Sequence, residues 1–282
     1  MLTHLNNFLK IIEECQSLPE LMQIFQHCIR FLEQDSKIGI AVRGSLACGE
    51  ADFFSDIDLL VHVPKFKSLD IMQKRFIEQV HKFGKVLTWF RAVHINKPNL
   101  LVFYLKVKDV LVKIDADIEC LSEPIGSISE KLLILNDVEG IFSKQDQRKA
   151  IEIDFNDVYN KFCVWLWYIY CRIARGELFQ AARSIDFSRE HALLPLIRKR
   201  YNLPIMDGHC RIELLLSETI LTRLRQTYPT SLDMHELTRA LFALLELFSN
   251  EWQSIELGDT KQSLKLLNEM KSLVISAQNE QA

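Results

Sequence analysis

The spacing of apolar residues along the chain changes character four times. Leu5, Phe8, Leu9 and Ile12 recur at helical spacing, and Leu21, Ile24, Cys28 and Phe31 continue a second helical stripe. Between them lies Ser17-Leu18-Pro19-Glu20. Here Ser17 is expected to cap, Glu20 to reach back, and Pro19 to sit in the first turn. The period then drops to two: Ile38, Ile40 and Val42 alternate with smaller residues, which predicts a strand running into Gly44-Ser45. A polar stretch to Ser55 is expected to be a turn, and residues 56–63 to be a second strand stopped by Pro64. Met72, Phe76, Val80 and Phe83 predict a helix ended by Gly84. Residues 86–93, 100–106 and 110–121 read as strands, followed by a short apolar piece at 132–142, punctuated by Asn136, Asp137 and Gly140.

Beyond about residue 150 strand candidates disappear. Residues 162–174, 181–200, 213–228, 237–248 and 264–275 all read as helices, and Leu237, Leu241, Leu244, Leu245 and Phe248 keep the 3.6-residue period. The expected fold class is therefore α+β: a domain with a mixed β-sheet and flanking helices over 1–150, and an all-helical bundle domain over 151–282.

Composition narrows the function classes. The 282 residues carry 34 Lys+Arg against 37 Asp+Glu, a formal charge of −3, which speaks against coating nucleic acid by bulk charge. Apolar residues at 48% and charged residues at 25% are ordinary for a globular chain. Seven cysteines include no Cys-x-x-Cys pair and read as reduced thiols, which points to a cytoplasmic setting. The start of the chain lacks the basic stretch and cleavage site of a signal peptide, and the longest apolar run, 162–171, is too short for a membrane span. The eight histidines show no zinc spacing. P-loop, dinucleotide-fold and serine-hydrolase motifs are absent.

The informative stretch runs from Val42 to Val61. A strand ends at Gly44, where the backbone can turn sharply and approach a ligand, and Ser45 adds a hydroxyl. Free amides in such a bend can hold phosphate oxygens. Further on, Asp56-Ile57-Asp58 falls on a strand, so both carboxylates point to one face while Ile57 and Leu59 point into a core. Two carboxylates aimed at one spot repel unless a cation lies between them, and Mg²⁺ suits hard oxygen ligands. The strand around Asp115 places Lys113, Asp115, Asp117 and Glu119 on one face. If it neighbours the first acidic strand, one of its acids joins the cluster. Three carboxylates and a phosphate-binding bend are the parts of two-metal phosphoryl or nucleotidyl transfer.

Gly44-Ser45, ten intervening residues and Asp56-x-Asp58, set between two strands, resemble the signature of the DNA polymerase beta-type nucleotidyltransferase superfamily. Cys48 stands where that family commonly has Arg, Lys or Tyr. Residues 132–140 and 165–183 are similar to parts of the antibiotic nucleotidyltransferases of the lincosamide and aminoglycoside types. The resemblance implies that Asp56 and Asp58 bind two Mg²⁺ ions, and that Gly44, Ser45 and Ser55 hold the triphosphate of ATP or another NTP. A third carboxylate would ligate one metal or deprotonate the acceptor hydroxyl; counting back from Leu121-Ser122-Glu123, the resemblance implies Asp117 at that base position, with Asp115 the second choice. The implied reaction transfers AMP from ATP to a hydroxyl of a small molecule, releasing pyrophosphate. The acceptor is expected between the two domains, chosen by the helical, substrate-binding one, and a homodimer is compatible with this. Two alternatives stay open: a protein or RNA-end acceptor of the toxin–antitoxin type, and a non-catalytic nucleotide-binding module.

Ser55 reads equally well as a turn cap, Arg175-Gly176-Glu177 as a helix end, and Lys161 as a solvated side chain. Trp165, Trp167, Tyr168 and Tyr170 read as core plus an interdomain seam.

Overall fold

The structure is a computed structural model that describes residues 17–65, 68–120, 131–142, 153–203, 209, 211–257 and 262–281. The expected helix at 5–12, Cys15, Cys210 and the 121–123 landmark lie outside the described residues. The chain divides into two compact units, Met1–Ile151 and Glu152–Ala282.

In the first unit, helix α1 (Pro19–Leu32) precedes strand β1 (Gly39–Val42). Leu18 rather than Ser17 occupies its N-cap, where an apolar side chain can supply no cap, and Glu20 pairs with Lys108 at 2.7 Å. The stretch after β1 is not only a turn: Gly44–Cys48 coil into a short helix, α2. Strand β2 (Ile57–His62) leads to helix α3 (Leu69–Phe83). Gly84 ends α3 in an extended conformation, not a left-handed one, because strand β3 (Lys85–Ala92) starts at once. Strands β4 (Lys97–Val107), β5 (Val110–Glu119) and β6 (Leu133–Asn136) complete one six-stranded sheet, ordered β3-β4-β5-β2-β1-β6.

Only β2 and β5 pair in parallel; β1–β2, β1–β6, β3–β4 and β4–β5 are antiparallel. The period-two pattern sorts the two faces of the central strands. Ile57, Leu59, Val61, Ile114, Ala116 and Ile118 are fully buried and share a core with Leu21, Ile24, Phe25 and Cys28 of α1 and Met72, Phe76 and Val80 of α3. Each of the Val, Ile, Leu, Met and Phe side chains contributes about 1.5–3 kcal/mol on burial. The other face carries Asp58, Leu60 and His62 from β2 and Asp115, Asp117 and Glu119 from β5. One face of the sheet therefore carries the main core, and the opposite face combines these polar groups with smaller apolar clusters such as Ala41, Leu60, Ile141 and Phe142.

The second unit is helical throughout its described residues. Asp154 caps α4 (Phe155–Ala174) by accepting from the amides of Asn156 and Asp157. At the other end, Gly176 adopts φ +72° and the Glu177 amide donates to the Arg172 carbonyl at 2.9 Å, closing a Schellman turn into α5 (Leu178–Ser188). The expected helix 181–200 is interrupted by a π turn at Arg189–Leu193 before α6 (Leu194–Arg200). Pro195 is the physical cause: it has no amide to donate to the His191 carbonyl, and its ring crowds that carbonyl. The expected helix 213–228 is two pieces, α7 (Ile212–Leu215) and α8 (Glu218–Gln226), parted at Leu216 and Ser217. Helices α9 (Met234–Ser254) and α10 (Lys265–Gln281) follow.

The core of this unit includes Tyr159, Phe162, Leu166, Leu237, Leu241, Leu244, Phe248 and Trp252. Arg189 is fully buried within it. Its guanidinium donates to the Thr227 hydroxyl and carbonyl at 2.9 Å each, pairs with Asp186, and lies 3.5 Å from the Tyr228 ring centre. That set of partners anchors the start of the π turn. The five described cysteines, Cys28, Cys48, Cys120, Cys163 and Cys171, are free thiols, and no described helix is long and apolar enough to cross a membrane.

Candidate active site

The register of three strands builds the site. Strand β1 runs antiparallel to β2 with Val42 opposite Leu59, so the chain leaving β1 passes Asp58, and the Arg43 amide donates to the Asp58 carbonyl at 3.0 Å. Gly44 follows with φ +65°. A Cβ there would stand 2.5 Å from Asp58 Oδ2, so only glycine lets the backbone pass this close to the carboxylate. On the far side of β2, the parallel register sets Asp58 beside Asp115 and Leu60 beside Asp117. Continued back by one residue, it sets Asp56 beside Lys113. Asp56 and Asp58 thus face Lys113 and Asp115 across two neighbouring strands.

One carboxylate oxygen each of Asp56, Asp58 and Asp115 lies within 4.8 Å of the others. Lys113 Nζ donates to Asp56 Oδ2 at 2.8 Å and to Asp115 Oδ2 at 3.0 Å. Burial lowers the tendency of Lys113 to hold its proton, but its hydrogen bonds to Asp56 and Asp115 and their charges outweigh this and hold it well above the usual lysine range. Asp58 is pushed up to about 7, first by burial and then by the charge of Asp56, with Arg43 opposing. A carboxyl forced toward neutrality by burial and a neighbouring acid marks a place where a cation would release strain.

Asp117 is not part of this trio. It lies beside Leu60, two residues along β5, 3.8 Å from Arg43. The geometry brings in Asp115, the second choice from the sequence. Glu119, beside His62, is raised to about 7, first by burial and next by the charge of Asp117. Two buried oxygens on the same face, Asp115 Oδ1 and Asp117 Oδ1, and the Ser45 hydroxyl have no hydrogen-bond partner among the described residues. Ser45 sits in the first turn of α2, immediately after Gly44. Ser55 is engaged in its own loop: its hydroxyl accepts from the Asp52 amide at 2.8 Å and donates to Asp52 Oδ1 at 3.0 Å. The same loop exposes Phe53 and Phe54, packed edge to face.

The chemistry of the donor set fits a divalent metal. It offers three hard oxygen ligands with a buried acceptor atom unused, beside a glycine bend with an unpartnered hydroxyl. Residues 26–118, which contain β1 to β5 nearly whole, match the family model of the nucleotidyltransferase domain. This chain carries a nucleotidyltransferase domain. No functionally curated protein matches its sequence. Among solved structures, an aminoglycoside 6-adenyltransferase from Bacillus subtilis is similar at 15% identity and a TM-score of 0.45, over 91% of this chain and 96% of that one.

Sequence reasoning missed two residues of this candidate site. Lys113 was visible on the acidic face, but its tie to Asp56 depends on the β2–β5 register, which no local pattern encodes. Arg43 had no signal beyond standing next to Gly44.

Proposed function

We propose that this chain transfers a nucleoside monophosphate, AMP from ATP, to a hydroxyl of a small molecule, with Asp56, Asp58 and Asp115 holding Mg²⁺. One observation carries the reading. Carboxylates from two strands converge within 4.8 Å directly beside the Gly44 bend and the unpartnered Ser45 hydroxyl. Metal bound there would screen the charge of the triphosphate and polarise the α-phosphorus. Gly44 admits the backbone next to Asp58, and the Ser45 hydroxyl donates to a phosphate oxygen. Ser55 holds the loop from Asp52 in shape and reaches the nucleotide only if that loop opens. The acceptor hydroxyl gives its proton to a carboxylate of the acidic face as its oxygen attacks the α-phosphorus, the bond to the bridging oxygen breaks, pyrophosphate leaves, and catalysis rests on positioning and charge.

The helical unit supplies a recognition surface of suitable size for the acceptor. An open pocket of about 340 Å³ is lined by Trp165, Tyr168, Phe187, Gln180, Arg183 and Ser184. It contains one cation and no carboxylate, which suits a ring-bearing molecule of low positive charge better than a polycationic aminoglycoside. The test is pyrophosphate release from ATP with Mg²⁺ across panels of lincosamides, aminoglycosides, proteins and RNA, with Asp58→Asn as control. Release that depends on a small hydroxyl compound and vanishes in Asp58→Asn supports the reading; release only with protein or RNA, or undiminished in the variant, rejects it.

A further inference from the structure

Lys113 raises a question that nucleotidyl transfer does not answer. A metal site needs its carboxylates free, yet this ammonium bonds two of the three, at 2.8 and 3.0 Å. Its side chain and those of Asp56 and Asp115 are largely shielded from water, at 30, 33 and 17% exposure, so the pairs are more than mobile surface contacts. The position is fixed by the sheet. Lys113 stands two residues before Asp115 on β5 and beside Asp56 across the β2–β5 pairing. Asp56 pairs with Lys113, whereas Arg43 lies 3.8 Å from Asp117. Without Lys113, the trio would hold three mutually repelling carboxylates with Arg43 the nearest cation on its flank.

We propose that Lys113 is a built-in counter-ion of the acidic trio, a positioning residue that keeps Asp56 and Asp115 aimed at one point in the metal-free protein and gives up those contacts when a divalent cation binds. This rests on the trio being the metal site. Metal binding is then an exchange of one cation for another, and the affinity for metal without nucleotide is held down by the contacts it must displace. Released from the carboxylates, the ammonium is a charge looking for an anion, and the triphosphate is the anion the site is built to receive. Lys113 therefore couples the two ligands: metal binds weakly alone and more tightly with nucleotide, and by linkage the nucleotide gains by the same factor.

The experiment titrates Mn²⁺ into the full-length protein, following free ion by its electron paramagnetic resonance, with and without a non-hydrolysable ATP analogue. The proteins compared are wild type, Lys113→Met and Lys113→Arg. In Lys113→Met, Mn²⁺ alone should bind about tenfold more tightly than in wild type, the melting temperature without metal should fall, and the gain on adding nucleotide should shrink several-fold. Lys113→Arg keeps the charge and should stay near wild type in all three. Weaker Mn²⁺ binding in Lys113→Met, or equal behaviour of the Met and Arg variants, overturns the counter-ion role. Absence of Mn²⁺ binding in wild type with no change in Asp58→Asn is a different failure, because it removes the metal site itself. Melting curves identify a variant that fails to fold, and Lys113→Gln then takes the place of the methionine variant with the same expectation.

Discussion

Asp58 concentrates the chemistry of the first unit in one carboxyl. It is hemmed by Gly44 on one strand and Asp115 on the other, and burial plus Asp56 raise it to about 7. Replacing it with Asn removes a proposed metal ligand while preserving volume. Nucleotidyl transfer, read as pyrophosphate release, should fall by about 10³-fold or more, while the circular dichroism spectrum stays unchanged. The raised value also sets a pH dependence. Between the unfolded value near 3.8 and about 7, the folded protein holds a proton that the unfolded chain has lost, so the contribution of Asp58 to stability declines as pH rises through that window. A divalent cation competes with that proton. The rise in melting temperature on adding Mg²⁺ should therefore be larger at pH 8 than at pH 5.5, and equal shifts at the two values would contradict the assignment. Gly44→Ala would place a methyl against Asp58 Oδ2 on a backbone at φ +65°; we expect a loss of about 1–3 kcal/mol by denaturant unfolding, together with weaker Mg²⁺ binding.

At the scale of elements, two glycines with left-handed backbones invite comparison. Gly176 has φ +72° but open space around it. Gly176→Ala should therefore cost only the backbone term, about 1 kcal/mol in urea unfolding, and leave metal binding intact. The Schellman turn at Gly176 was legible in the sequence because Arg175-Gly176-Glu177 sits where a helical stripe stops. The alternation in β2 and β5 was legible as well, since a period of two assigns each side chain to a face whatever its partner. Register was not. Nothing local distinguishes Asp115 from Asp117, which share a face; the choice is made by the pairing of Asp58 with Asp115, between elements 57 residues apart. The π turn was hidden for a related reason. The apolar spacing of 181–200 stays helical, and only the missing amide of Pro195 reveals the interruption. Tryptophan and tyrosine crowding in α4 suggested core and seam; Tyr170 is buried in the helical core and Trp165 packs against it, while Trp165 and Tyr168 also line a pocket with Phe187, beside that π turn.

For the molecule as a whole, the described residues form two main apolar cores with no member in common, one around Phe76 and Phe103 and the other around Phe248 and Trp252. Each unit can therefore melt on its own account. Scanning calorimetry should show a calorimetric enthalpy exceeding the van't Hoff value, and Mg²⁺ should move only the component that belongs to the sheet unit. A variant in the helical core such as Trp252→Ala should move only the other component, by about 3–5 kcal/mol of destabilisation. A single cooperative transition shifted by both would mean the units unfold together.

The parallel pairing of β2 with β5 imposes an order on synthesis. A growing chain that has emerged only as far as α3 already carries the glycine bend and the Asp56–Asp58 pair, but neither Asp115 nor the ammonium that steadies Asp56. Through β3 and β4 the acids wait as an unneutralised pair, and they become a site only when the fifth strand slides in between β4 and β2. On the ribosome, competence to take up a metal ion would arrive as a late, abrupt event, coincident with closure of the sheet.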